Sequence, residues 1–402
     1  MLPCLHGRAR VAPSETVPTT PSSPGPGARD LSSFLYSHSD PCPSMSSSET
    51  DADPVRRKSL GLLGSLLTPH YGDYEVYQSI GVGCAGTASI LISQHKPSRN
   101  FVVVRHIDLE PLSFQQLGEV QHEIKISQLL HHQNIACYLI SFVVDAHLWA
   151  VQPLMHYGSC ADIMHSAEPF KNGFQESVVA VILKDVALGL QYLHSLGFVH
   201  RSVRAKHFLI HENGQVKLSG LRSVVSMMKD GSRMKSLHGH FPHTVDNICW
   251  LAPEVLAQDL SGYSFKSDTY SVGIAALELS TGEAPFAGLP VTEIMMLKLR
   301  GHPPVLMRRD EGFLAKRFSN TFTKVVDHCV HPNPSCRPSP TKLLSMSFLR
   351  SKKKFGVLKD LLKPVVPLDT STLRPVREFM QSLLPVPVNE LEQLSIEGPW
   401  TL

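Results

Sequence analysis

The sequence predicts an α+β fold of two lobes, a β-rich first lobe followed by a larger helical one. Three observations predict it. Five short runs rich in β-branched and aromatic residues fall between residues 74 and 153. Two long stretches with helical apolar spacing follow, "ESVVAVILKDVALGLQYLHSLG" and "SDTYSVGIAALELSTG". A glycine cluster, "GVGCAG", sits between the first two β-rich runs.

Residues 1–70 are rich in Pro, Ser and Thr and poor in aromatics. Such a segment buries too little apolar surface to offset its ordering entropy, so it reads as disordered. Ser59 follows the basic run "RRK" and is a candidate phosphorylation site, although a solvated linker is the plainer reading. From Tyr74, "YEVYQSIGVG" alternates as a strand should. "TASILISQH" and "NFVVVRHIDL" read as a hairpin joined by "KPSRN". "FQQLGEVQHEIKISQLLHH" has helical spacing, with Leu117, Val120, Ile124, Leu129 and Leu130 as its apolar set. "IACYLISFVVDAHLWAVQPL" supplies two more strands. The two long helices then end at Gly197 and Gly282. Residues 350–402 start basic, turn Pro-rich and read as a tail of extended or locally helical pieces rather than a domain.

Composition narrows the function. The chain has 402 residues, 42% of them apolar, and a formal net charge of only +3. That is enough apolar material for a sizeable core. It gives no electrostatic ground for a nucleic-acid or membrane-surface partner. The eight cysteines are scattered without a C-x-x-C pair, as in a reduced cytosolic or nuclear protein. The first residues show no apolar secretory segment, no apolar run reads as a membrane span, and no metal site is predicted.

"GVGCAG" is G-x-G-x-x-G, through Gly81, Gly83 and Gly86. A dinucleotide-binding reading needs strand, glycines, then helix. Glycines in a hairpin between strands resemble the protein-kinase arrangement, where the loop covers nucleotide phosphates. Other elements of that family follow in order. "VVVR" stands for V-A-I-K, with Arg105 in the Lys slot and Glu123 downstream as its ion-pair partner. "HRSVRAKH" stands for the catalytic loop, "LSGLR" for the D-F-G region, and "APE" at 252–254 matches. "SDTYSVG" and "HPNPSCRP" complete the set. The resemblance covers 74–349, about two-thirds of the chain. It implies a bilobal protein-kinase fold.

The departures fall on the chemistry. Ser202 replaces the Asp that accepts the substrate proton, and an alkanol is no carboxylate base near neutral pH. His207 and Gly220 replace the two magnesium ligands, which should be hard oxygen donors. The frame residues match: Arg201, Asp268, and Glu254 with Arg337. The resemblance thus implies a pseudokinase with no catalytic residue. It also implies a nucleotide site that works without magnesium. That site comprises the loop Ile80, Gly81, Val82, Gly83, Cys84, Ala85, Gly86, Thr87 and Ala88, the cations Arg105 and Arg222, Gln152 as gatekeeper, Met155 in the hinge and Leu209 as adenine floor. ATP is the implied ligand, structural rather than reactive. Val103, larger than the usual alanine, intrudes on the adenine slot.

"LHSLGFVHRSVRAKHFLI", "VKLSGLRS", "SFKSDTYSVGIAALEL" and "LMHYGS" are similar to the sterile-20-related kinase adapter family, STRAD, with Gly-Leu-Arg pointing to its alpha branch. That resemblance implies an allosteric activator of serine/threonine kinase 11 (liver kinase B). It implies a trimer with the calcium-binding protein 39 scaffold, and a client moved from nucleus to cytoplasm. The family's closing Trp-Glu-Phe docks on the scaffold; here Trp400 keeps the aromatic anchor and the acid is lost. Two alternatives stay open, a divergent low-activity sterile-20-type kinase and a scaffold with an empty cleft.

Overall fold

The computed structural model describes residues 66–83, 88–239, 244–304, 318–350, 357–363 and 365–376. The readings placed on residues 1–65, on Cys84, Ala85, Gly86 and Thr87, and on Trp400 lie outside them.

The first lobe is a five-stranded antiparallel sheet. Its strands are β1 (Tyr74–Gly83), β2 (Ala88–His95), β3 (Asn100–Asp108), β4 (Ile140–Val144) and β5 (His147–Pro153), in the spatial order β1-β2-β3-β5-β4. β1 and β2 pair antiparallel up to Gly83 opposite Ala88, so Gly81 and Gly83 close the first strand of a hairpin, between strands as the sequence predicts. Alternation gives the sheet two apolar faces. Leu91, Val102, Val104, Trp149 and Val151 pack on one side with Tyr74, Val76 and Phe142. Ile92 and Val103 pack on the other side with Leu154.

Helix α1 (Phe114–Leu129) lies between β3 and β4 in the chain. Ser113 and Gln116 form a reciprocal capping box at its start, a device worth about 1 kcal/mol. Its buried face carries Val120, Glu123, Ile124 and Ser127. Leu129, expected on that face, is exposed. At roughly 100° per residue it stands about 180° from Val120, and the next residue, Leu130, takes the buried place as the helix ends.

The second lobe is helical: α2 (Cys160–Ser166), α3 (Glu176–Ser195), α4 (Thr244–Asn247), α5 (Pro253–Ala257), α6 (Lys266–Thr281), α7 (Val291–Leu299), α8 (Asn320–Cys329) and α9 (Pro340–Ser345). The short strands β6 (Phe198–Val199), β7 (Phe208–Ile210), β8 (Val216–Leu218) and β9 (Val225–Ser226) lie between α3 and α4. α3 is long and apolar enough by composition to cross a membrane, which the sequence reading missed. Its Val179, Ile182, Leu183, Val186 and Leu190 are instead fully buried in the lobe's main core with Leu277, Leu279 and Val325. Burial of each such side chain contributes about 1.5–3 kcal/mol. α6 is buried from Ser267 to Thr281. α3 and α6 run out at Gly197 and Gly282, both left-handed.

One ion pair locks the far end of this lobe. Arg337 is fully buried, and its Nη1 and Nη2 donate to the two carboxylate oxygens of Glu254 at 2.6 and 2.9 Å. The carbonyls of His331 and Pro332 accept from the same guanidinium. Removing one member of such a pair leaves a charge with no solvent. Glu254→Ala is expected to cost about 3–5 kcal/mol, read as a lowered urea midpoint with an unchanged slope.

Candidate functional site

The site lies where β1–β3, α1, the link after β5 and the loop after β6 converge. Ile80 and Val82 are exposed near the end of β1, and Ala88 is buried at the start of β2. Gln152 pairs with Val103 across β5 and β3, and Met155 follows β5 half-buried. Leu209 is half-buried in β7. Period-two alternation puts Val103 and Arg105 on the same face of β3. Val103 is buried in a cluster with Ile92 and Leu154.

Arg105 donates from Nη1 to Glu123 Oε1 at 2.6 Å and to the Tyr138 hydroxyl at 2.7 Å. Tyr138 donates in turn to Glu123 at 2.9 Å. Burial raises the Tyr138 phenol far above its usual range, so it is a permanent donor here. Arg222 Nε lies 2.9 Å from Glu119 Oε2, one turn of α1 before Glu123. His122 Nε2 donates to the Val224 carbonyl at 2.7 Å. α1 is therefore fastened to β3 by one carboxylate and to the segment after Gly220 by another. Tyr138 and Glu119 carried no sequence signal, because their roles depend on chain separations of 33 and 103 residues from their partners (138 − 105 and 222 − 119).

The loop from His200 hangs on Asp268, which is fully buried at the start of α6. Asp268 Oδ2 accepts from the His200 amide and from His194 Nε2, both at 2.8 Å; Oδ1 accepts from the Arg201 amide at 2.8 Å. Burial pushes this carboxyl up, yet the His194 bond and the His200 amide outweigh it and hold the group below its ordinary value. Arg201 sits at φ 63°, a left-handed conformation that costs a non-glycine residue about 1–3 kcal/mol. The Asp268 contact and the bond from Arg201 Nε to the Ser223 carbonyl at 2.7 Å hold it there.

Ser202 is the residue that the kinase resemblance sets against the catalytic base. Its hydroxyl donates to Asn247 Oδ1 at 2.9 Å, beneath the surface. The proton is committed to an amide oxygen that cannot pass it on. Arg204 supports the same junction, donating to the Asp246 carbonyl at 3.0 Å with its guanidinium 5.4 Å from the Trp250 ring centre. Glu278 accepts from the Ala205 amide and from Trp250 Nε1 at 2.9 and 2.8 Å. Burial raises Glu278 to about 7. Asn247, Arg204 and Glu278 were absent from the sequence reading.

His207 and Gly220 interlock. His207 Nδ1 donates to the Ser202 carbonyl at 2.7 Å. Burial lowers its pKa to about 3, so the ring is neutral. Gly220 is left-handed at φ 87°, and a Cβ there would stand 2.5 Å from His207 Nδ1 and 2.8 Å from Cγ. The imidazole thus fills the space that an acidic side chain at 220 would need. These donors do not fit magnesium: one position has no side chain, and the other is a neutral imidazole already donating to backbone. Among the described residues no group of three or more His, Cys, Asp or Glu could hold a metal ion.

Two outcomes are expected from this geometry. Gly220→Ala should destabilise by more than 1 kcal/mol, roughly what the backbone conformation and overlap cost together, and His207→Ala should recover part of that loss in a double-mutant cycle of urea midpoints. His207 also makes stability depend on pH. Its folded value lies below the unfolded value of about 6.5, so its contribution is intact above pH 6.5 and is lost as pH falls toward 3. His207→Asn should flatten the decline in melting temperature between pH 7 and pH 5.

The comparisons with known proteins fit this geometry. The family model for "Protein kinase domain" matches residues 74–349. The chain is 34% identical over 359 residues to STE20-related kinase adapter protein alpha of Mus musculus, covering 80% of this chain and 83% of that protein. It is 32% identical over 349 residues to the beta protein of the same organism, covering 77% and 83%. It is 35% identical over 281 residues to the serine/threonine-protein kinase fray2 of Dictyostelium discoideum, covering 70% of this chain and 26% of that protein. A kinase frame over two-thirds of the chain, with adapter proteins matched along most of their length, places the chain in the STE20-related kinase adapter family.

Proposed function

We propose that this chain is a catalytically inactive pseudokinase that binds and allosterically activates serine/threonine kinase 11 (liver kinase B). It does so together with the calcium-binding protein 39 scaffold and draws its client from the nucleus to the cytoplasm. One observation carries the inactive half of this reading. The Ser202 proton is given to Asn247, while the His207 ring stands against Gly220 where metal ligands would be. No group at these positions can take a substrate proton or hold magnesium, and phosphoryl transfer depends on both. The adapter half rests on the family and on the intact frame. α1 is held to β3 and to the segment after Gly220, the arrangement that presents a fixed surface to a partner. The second lobe also offers an exposed apolar face on α7, with Val291, Met295, Met296 and Leu299. Activation then works by differential binding to the client's active state.

ATP belongs to this reading as a structural ligand. Val103 and Leu209 would bound the adenine, the backbone at Met155 would meet its edge, and Arg105 would supply positive charge near the phosphates. Arg105 and Arg222 already face Glu123 and Glu119, so the nucleotide would compete for these cations. Trp400 would anchor the tail to the scaffold.

The decisive test is reconstitution with the client kinase and the scaffold. Saturating amounts of this chain should raise client activity and shift the client to the cytoplasm, and unchanged activity and location sink the reading. ATP at roughly 100 times its dissociation constant should raise the melting temperature by about 5–10 °C, equally with magnesium or with chelator. A rise that requires magnesium counts against the metal-free site.

A further inference from the structure

Residues after the kinase-like domain return across both lobes. Leu358 and Leu362 are buried in the core of the helical lobe, and Val365 packs against the same core. The chain then reaches the link that follows β5, where the Leu368 amide donates to the His156 carbonyl at 2.8 Å. Asp369 accepts from the Ser371 amide and hydroxyl at 2.9 and 2.7 Å, which sets a tight turn over Thr370–Thr372. After that turn the Leu373 amide donates to the Thr370 carbonyl at 3.4 Å. Leu368 and Leu373 both pack against the sheet cluster of Ile92, Val103 and Leu154. Finally, the Val376 amide donates to the Val76 carbonyl of edge strand β1 at 2.9 Å.

We propose that residues 358–363 and 365–376 form an intramolecular strap that sets the closure of the two lobes without a magnesium–nucleotide complex, and that walls the outer side of the adenine slot. Three features support it. First, the segment has apolar anchors in both lobes and backbone bonds to the link and to β1, so opening the lobes must break contacts at one end or the other. Second, the face it covers is the functional one. Val103 shares its side of β3 with Arg105, while the opposite side is filled by Val102, Val104 and Trp149. Third, His207 and Gly220 do not fit a metal that would draw the lobes together through phosphates. Val103 has a part in this device. It belongs to the apolar cluster against which the strap's leucines pack.

The strap also closes an exposed edge. β1 is the end strand of the sheet, and the Val376 amide satisfies a carbonyl that would otherwise face water or another chain.

The test uses the full chain without ATP and without partners, so its outcome is independent of the adapter reading. Leu368→Asp/Leu373→Asp places two charges on the apolar sheet face. Amide hydrogen exchange is then compared with wild type over residues 101–105 and 153–157, with α3 as the internal reference. Exchange in the two cleft segments should rise at least 10-fold while α3 keeps its protection. Leu373→Ala removes apolar contact without adding charge and should raise exchange about two- to five-fold in the same segments. If the double variant loosens α3 as well, it reports global unfolding and the alanine variant decides. Wild-type exchange at 101–105 and 153–157 in the alanine variant overturns the proposal.

Discussion

A single buried carboxylate organises the centre of this protein. Asp268 sits at the start of a helix that is buried along nearly its whole length, and it accepts three hydrogen bonds from His194, His200 and Arg201. An ionised carboxylate away from water is tolerated only when its oxygens are satisfied. That requirement fixes the backbone of the loop, including the left-handed Arg201. Once the loop is fixed, the positions of Ser202, His207 and Gly220 follow. Asp268 performs no chemistry itself. It makes the loop a rigid object whose side chains can be exchanged without losing its course.

Rigidity and chemistry have separated here. Charges that hold elements together are retained as pairs: Arg105 with Glu123, Arg222 with Glu119, Arg337 with Glu254. Positions that would hold metal or accept protons are filled by groups that satisfy one another. Ser202 bonds Asn247, and His207 bonds the Ser202 carbonyl. A working active site leaves polar groups aimed at a substrate. Here those groups turn inward and satisfy one another, which favours a fixed shape.

The frame was legible in the sequence because its parts are local or have fixed spacing. Strand alternation, the two long helical runs and the glycine hairpin all depend on neighbours within a few residues. Ser202, His207 and Gly220 were legible as departures because "HRSVRAKH" and "LSGLR" remain aligned around them. Their packing was not legible. That His207 rests on Gly220, that Asn247 receives the Ser202 proton, and that Arg222 turns to Glu119 are contacts between distant parts of the chain. α3 was legible as a helix of the second lobe, although by composition alone a buried core helix and a membrane helix look the same. Leu368 and Leu373 carry no periodic pattern, and their Pro-rich surroundings read as plain tail.

The contact between His207 and Gly220 bears on the routes open to sequence change. An acidic residue at 220 cannot be accommodated while the imidazole stands 2.5 Å from where its Cβ would lie. An asparagine at 207 alone adds no ligand at the second position and gives up the packing against Gly220. A substitution toward a metal site at either position therefore begins with a loss of packing between the two residues. The two residues behave as a ratchet, and the fold that lies behind it is free to specialise for partners.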